Sequence, residues 1–175
     1  MPLFKLYKHI NNTNNNKYLY ITYIIIFMML NIVYSQDSVY KKFFYESNEL
    51  SSEGYLINGI PSGKWINYHK NSNIKSTGYW KNSLLDSIWK FYDSLGRITL
   101  KEEYKNNLKN GLVIKYDTNG FIIKKTNYKN GKKQGREEIY FPEKNDIKYI
   151  YNYKNNLKNG VSYEYNNENK IITII

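Results

Sequence analysis

Lys105-Asn-Asn-Leu-Lys-Asn-Gly111 reads KNNLKNG, and the same seven residues recur unchanged at Lys154–Gly160. Working outward, each closing glycine is followed five positions later by a tyrosine. The same pairing of a small residue with Tyr appears at Gly63 and Tyr68, Ser87 and Tyr92, Gly111 and Tyr116, Gly135 and Tyr140, and Gly160 and Tyr165, at spacings of 24, 24, 24 and 25. Ile74, Ile98, Ile122, Ile147 and Ile171 keep that phase, as do Leu56, Trp80, Tyr104, Tyr128 and Tyr153. Three columns in one register establish a tandem repeat, the sign of an array whose units stack on their neighbours.

Each unit predicts two strands and two turns. One strand runs from the small residue to the Tyr, and alternation puts Ile66 with Tyr68, and Leu112 and Ile114 with Tyr116, on one face. The fourth copy breaks this pattern with Arg136 and Glu138. A turn rich in Asp, Asn and Gly follows, such as Asp117-Thr-Asn-Gly120. A second strand runs from the Ile to the Tyr or Trp, and a Lys-Asn turn leads to the next copy. Segments this short, punctuated by turn residues, disfavour helix. The expected fold is all-β: an elongated, single-layer antiparallel sheet of tandem 24-residue hairpins, preceded by a hydrophobic leader helix. Two strands per unit at about 4.8 Å advance the sheet roughly 9.6 Å per copy. The tyrosine ladder reads first as packing and second as a stacking platform for a sugar or other ligand.

Composition agrees. The chain has 175 residues, 20 of them Tyr, and no Cys, which excludes disulfides and thiolate metal sites. Its formal charge is +11; without Lys5, Lys8 and Lys17 the remainder carries 23 basic against 15 acidic residues. Only Arg97 and Arg136 are arginines. Specific phosphate and base recognition leans on the arginine fork, so no nucleic-acid partner is expected.

Residues 1–17 are polar and basic, and residues 18–34 form an apolar run interrupted by Thr22 and Asn31. The run ends Val33-Tyr34-Ser35, which suits cleavage between Ser35 and Gln36. It is short for a spanning helix of about 20 residues. A cleaved signal peptide leading to a secreted or periplasmic, envelope-associated protein, an uncleaved anchor over 18–34, and a buried helix are the three readings. The organisation expected is a leader at 1–35, a degenerate capping hairpin at 36–52, and five repeats at 53–175. Ile171-Ile-Thr-Ile-Ile175 reads as an apolar edge strand open to self-association.

The columns resemble the MORN-repeat variant of bacterial proteins, written loosely G-x-W-x-x-Y, turn, short strand, Y-x-N-G-x-x-x-G. Gly63, Trp65 and Tyr68 carry it with Asn58 and Gly59 in the first copy. Trp80, Asn82, Trp89 and Tyr92 carry it in the second; Tyr104, Asn106, Gly111 and Tyr116 in the third; Tyr128, Asn130, Gly131, Gly135 and Tyr140 in the fourth; and Tyr153, Asn155, Gly160 and Tyr165 in the fifth. Ser87 replaces the glycine, and Val113, Glu137 and Ser162 replace the aromatic. The resemblance implies an extended hairpin array used for protein or membrane association; many such proteins are described as YwqK-family antitoxins, which export of this chain would fit poorly.

No enzyme is expected, and no cofactor. His69 stands alone in a turn, and the neighbouring acids Glu102-Glu103 and Glu137-Glu138 point to opposite faces of their strands. No nucleophile has a base beside it, and no metal-ligand set recurs. The expected role is a non-catalytic scaffold for another protein. The alternatives are a peripheral binder of anionic membrane or lipopolysaccharide, through the row Lys81, Lys105, Lys129 and Lys154, and an antitoxin or immunity partner of a toxin.

Overall fold

A computed structural model describes residues 21–24 and 37–174. The chain divides into two units, Met1–Gln36 and Asp37–Ile175. In the first, Ile21–Ile24 are helical; the rest of the run at 18–34 and the junction between Ser35 and Gln36 lie outside the described residues. Among the described residues no helix is long and apolar enough to cross a membrane.

The second unit is one open antiparallel sheet of fourteen strands. They are β1 (Ser38–Phe44), β2 (Leu50–Ile57), β3 (Ile60–Tyr68), β4 (Ile74–Lys81), β5 (Leu84–Tyr92), β6 (Ile98–Lys105), β7 (Leu108–Lys109), β8 (Gly111–Tyr116), β9 (Ile122–Lys129), β10 (Lys132–Tyr140), β11 (Ile147–Lys154), β12 (Leu157–Lys158), β13 (Tyr163–Tyr165) and β14 (Ile171–Ile174). Every strand pairs with its sequence neighbour, with β7 and β12 as short outer segments on β6 and β11. The expected single-layer hairpin array is therefore the observed fold. β2, β4, β6, β9, β11 and β14, the return strands, share one repeat phase. β3, β5, β7–β8, β10 and β12–β13, the outgoing strands, share the other, and β1 falls in that phase too. The boundary read from the sequence between residues 52 and 53 lies inside β2.

Two kinds of turn alternate. Asn58-Gly59, Asn82-Ser83, Asn106-Asn107, Asn130-Gly131 and Asn155-Asn156 all have positive φ at both residues, from 49° to 79°. This is the two-residue turn whose twist matches a hairpin, and Asn and Gly are the residues that enter it most cheaply. At the other end, five-residue turns close with one positive-φ residue each: Asn48, Ser72, Gly96, Gly120 and Asn169. Asp93 and Asp117 cap two of these, each accepting two backbone N–H groups on Oδ1 at 2.9–3.0 Å.

The outgoing strands differ from the sequence reading in one respect. They begin about three residues before the small residue, which has positive φ throughout: Gly63 (71°), Ser87 (59°) and Gly135 (84°) lie inside β3, β5 and β10, whereas Gly111 (130°) opens β8 and Gly160 (87°) lies between β12 and β13. Register jumps there; Ser62 faces Tyr55 while Trp65 faces Gly54, leaving Gly63-Lys64 as a bulge. In the copies of Gly63, Ser87 and Gly135 the small residue is thus a backbone requirement of the bulge, not a strand start, while in the third copy the strand does run from Gly111 to Tyr116 as expected.

The two-residue turns at Asn106-Asn107, Asn130-Gly131 and Asn155-Asn156 also lock one repeat to the one before. Asn107 donates its N–H to Leu85 O at 2.9 Å and accepts Leu85 N–H on Oδ1 at 2.5 Å. Asn156 repeats this with Lys133, at 3.1 and 2.7 Å. At the opposite edge the Tyr45 hydroxyl donates to Tyr68 O at 2.6 Å, and His69 Nε2 bonds Tyr92 O at 3.0 Å. His69 is a strut between turns.

Candidate functional site

With no second layer, any functional surface must be a face or an edge of the sheet. Directly opposed residues share a face, so register assigns the side chains. A central ladder crosses the sheet on what we term the tryptophan face: Gly54, Trp65, Gly78, Trp89, Glu102, Val113, Thr126, Glu137, Tyr151 and Ser162. Gly78 is joined to Trp89 by the ring laid over it, and Val113 and Ser162 continue the registers of β8 on β6 and of β13 on β11. Trp65, Trp89, Glu102, Thr126, Glu137 and Ser162 are all buried. This burial in a single layer comes from side chains lying over one another. Trp89 is 4 % exposed because its ring covers Gly78, and its Nε1–H donates to Tyr79 O at 3.1 Å. Trp80 meets it edge-on with ring centroids 5.6 Å apart, and Phe43 packs on Trp65 at 6.0 Å. The first half of this face is therefore aromatic, and Phe43 keeps 43 % of its surface exposed.

The second half is ionic. Lys109 Nζ lies 2.6 Å from Glu102 Oε1, and the Tyr104 hydroxyl donates to Oε2 of the same carboxylate. Lys133 Nζ lies 2.7 Å from Glu137 Oε2, which also accepts the Thr126 hydroxyl at 2.8 Å. Burial works to raise the Glu137 carboxyl's pKa, but the Lys133 and Thr126 hydrogen bonds outweigh it and hold it below the ordinary value. On Tyr104, burial and the bond to Glu102 act together and push the phenol well above its usual range. Lys109, Lys133 and Lys158 each also stand over a tyrosine ring, at 5.6, 4.4 and 3.7 Å.

On the reverse face lies the tyrosine column. Tyr68, Tyr92, Tyr116, Tyr140 and Tyr165 stand directly opposite Ile74, Ile98, Ile122, Ile147 and Ile171, always at a register shift. The two columns interleave as their common phase implies. Tyr140 is buried, and the Tyr68 hydroxyl donates to Glu53 Oε1 at 2.6 Å. The face chosen from Ile66 and Tyr68 is therefore half of the packing; Trp65 and Trp89 bury more on the other side, because a lone sheet must shield both surfaces.

Lys81, Lys105, Lys129 and Lys154 flank the two-residue turns and are exposed, as their position before Asn implied. They face Leu84, Leu108, Lys132 and Leu157 across the turns. Between the fourth and fifth turns, Lys129, Lys132 and Lys154 line one shallow cleft with Gln134 and Asn155. The repeat-defining Gly63 and Gly135 sit at bulges, Gly111 and Gly160 at the breaks between β7 and β8 and between β12 and β13, and all four serve the backbone. Sequence reasoning missed Gly54 and Gly78, and it did not separate Lys109, Lys133 and Lys158 on the tryptophan face from the edge row. Among the described residues no cluster of His, Asp and Glu is placed to hold a metal ion. No protein-family model and no curated protein matches the chain.

Proposed function

We propose that this chain is an exported, non-catalytic scaffold of the MORN-like repeat type that holds another protein against its sheet. The carrying observation is the unlayered sheet itself: an aromatic half with Phe43, Trp80 and Phe91 beside an ionic half with Lys109, Lys133 and Lys158, both open to solvent on the tryptophan face. Aromatic anchors beside charged groups are the usual makings of a protein-binding surface. The test pairs fractionation and N-terminal sequencing of the full-length chain with affinity capture. A product beginning at Gln36 outside the cytoplasm supports export by a cleaved leader, and an intact chain in the membrane supports anchoring. A partner captured by the intact chain and lost from Phe43→Lys/Phe91→Lys supports the face; identical capture by both chains counts against it.

The cleft of Lys129, Lys132 and Lys154 favours a second reading, attachment to an anionic surface. Three lysines near such a surface contribute about 1 kcal/mol each at low salt. Binding to vesicles of anionic lipid should then weaken steeply as salt rises. Salt-insensitive binding, or none, removes this reading.

A further inference from the structure

The third, fourth and fifth repeats place a lysine at one equivalent point of the tryptophan face. Lys109, Lys133 and Lys158 each stand opposite a return-strand tyrosine, Tyr104, Tyr128 or Tyr153. In the first two of these repeats a carboxylate of the same repeat neutralises the ammonium. Glu102 does so from the return strand, with the Tyr104 hydroxyl as second donor. Glu137 does so from the outgoing strand, with the Thr126 hydroxyl as second donor. Either ladder position therefore delivers a carboxylate to this lysine, and a hydroxyl completes its shell.

In the fifth repeat those two positions are Tyr151 and Ser162. The lysine and a hydroxyl are kept and the acid is missing. Lys158 Nζ lies 3.7 Å from the centre of the Tyr151 ring and forms no ion pair among the described residues. Ser162 is 4 % exposed and makes no side-chain hydrogen bond among them. Glu164, the next acid on that strand, accepts the Tyr149 hydroxyl at 2.9 Å, and Tyr149 stacks on Tyr151 with centroids 5.8 Å apart.

We propose that Lys158, Ser162 and Tyr151 form a docking site for a carboxylate side chain on an acidic segment of a partner protein. The incoming group takes the place that Glu102 and Glu137 hold in the preceding repeats: the ammonium and the serine hydroxyl donate to it, and the Tyr151 ring holds the ammonium in place. This deepens the association reading and rests on it.

The test is calorimetric titration of the full-length chain with a hexaglutamate peptide. Ser162→Glu supplies the missing carboxylate in cis, as Glu137 does one repeat earlier, and should compete the peptide out. Lys158→Met removes the donor. Each should weaken binding by at least about tenfold, the scale of one lost charge-assisted contact, while Lys81→Met in the exposed edge row changes it by less than about twofold. Lys158→Arg should restore binding and guards against misfolding of either variant. Wild-type-like binding by Lys158→Met, an equal loss in Lys81→Met, or no binding by the intact chain overturns the site. A captured partner that Lys158→Met still holds would sink the site and leave the association reading standing; peptide binding with no capturable partner would do the reverse.

Discussion

Trp89 lies across Gly78 so closely that a Cβ on Gly78 would sit 2.1 Å from Trp89 Cδ2, and Trp65 covers Gly54 in the same way, at 2.1 Å from its Cε3. The same opposed positions in later repeats hold Glu102 with Val113, Thr126 with Glu137, and Tyr151 with Ser162. Wherever the outgoing strand carries tryptophan, the return strand before it carries no side chain. Where the outgoing residue shrinks, the return residue grows. The central ladder thus keeps roughly constant bulk across a sheet with no second layer to fill gaps.

That complementarity predicts strong coupling between the pair. Gly78→Ala should destabilise the chain by about 2 kcal/mol through overpacking. Trp89→Val alone should cost about 3 kcal/mol as a large-to-small change. The double variant should cost at least about 1 kcal/mol less than the sum, measured by denaturant melts. Additive losses would mean that the contact carries no energy.

Ser87 occupies the bulge position at φ 59°, where its four counterparts are glycine. Its hydroxyl bonds only the Asp86 carboxylate, at 3.0 Å. Ser87→Gly should therefore stabilise the chain by about 0.5–1 kcal/mol by relieving left-handed strain. Gly135→Ala, the converse change at φ 84°, should destabilise it by about 1 kcal/mol or more.

Asn107→Gly keeps the positive φ of the turn and deletes the side-chain acceptor for Leu85 N–H. A loss of about 1 kcal/mol is expected. Because the bond joins adjacent repeats, hydrogen exchange at the Leu85 amide should accelerate in the variant. Unchanged exchange there would remove the turn's role as a lock.

Stability should fall at both ends of the pH scale. The Glu137 carboxyl is held below its ordinary 4.5, so its contribution is complete above that value and is lost as pH falls through the lowered folded value. Tyr68 is pushed up to about 12 by burial and by its bond to Glu53, so its contribution is complete below 10 and disappears as pH rises from 10 towards 12. Glu137→Gln should flatten the acid limb and Tyr68→Phe the alkaline limb of melting temperature against pH. A shared profile for all three chains would contradict these assignments.

Much of this was legible in the sequence. The Lys-Asn turns were legible as turns, though not their two-residue length, and the Tyr and Ile columns announced strands that turned out to face each other. The bulge was not legible, because a glycine at positive φ inside a strand looks like a strand boundary until register is known. The Gly–Trp contacts were hidden for the same reason, although a signal was present: both pairs keep the same 11-residue separation, from 54 to 65 and from 78 to 89. The lysine–carboxylate ladder escaped column reading because its acid changes strand, from Glu102 on a return strand to Glu137 on an outgoing one.

The most direct measurement on the scaffold reading is photo-cross-linking in living cells, with a benzophenone amino acid at Phe43 or Phe91 on the tryptophan face and at Leu95, an exposed turn residue. A single protein adduct from the two face positions and none from the turn is the predicted result. Equal labelling at all three, or no protein adduct from either face position, would contradict the claim that this face holds a partner.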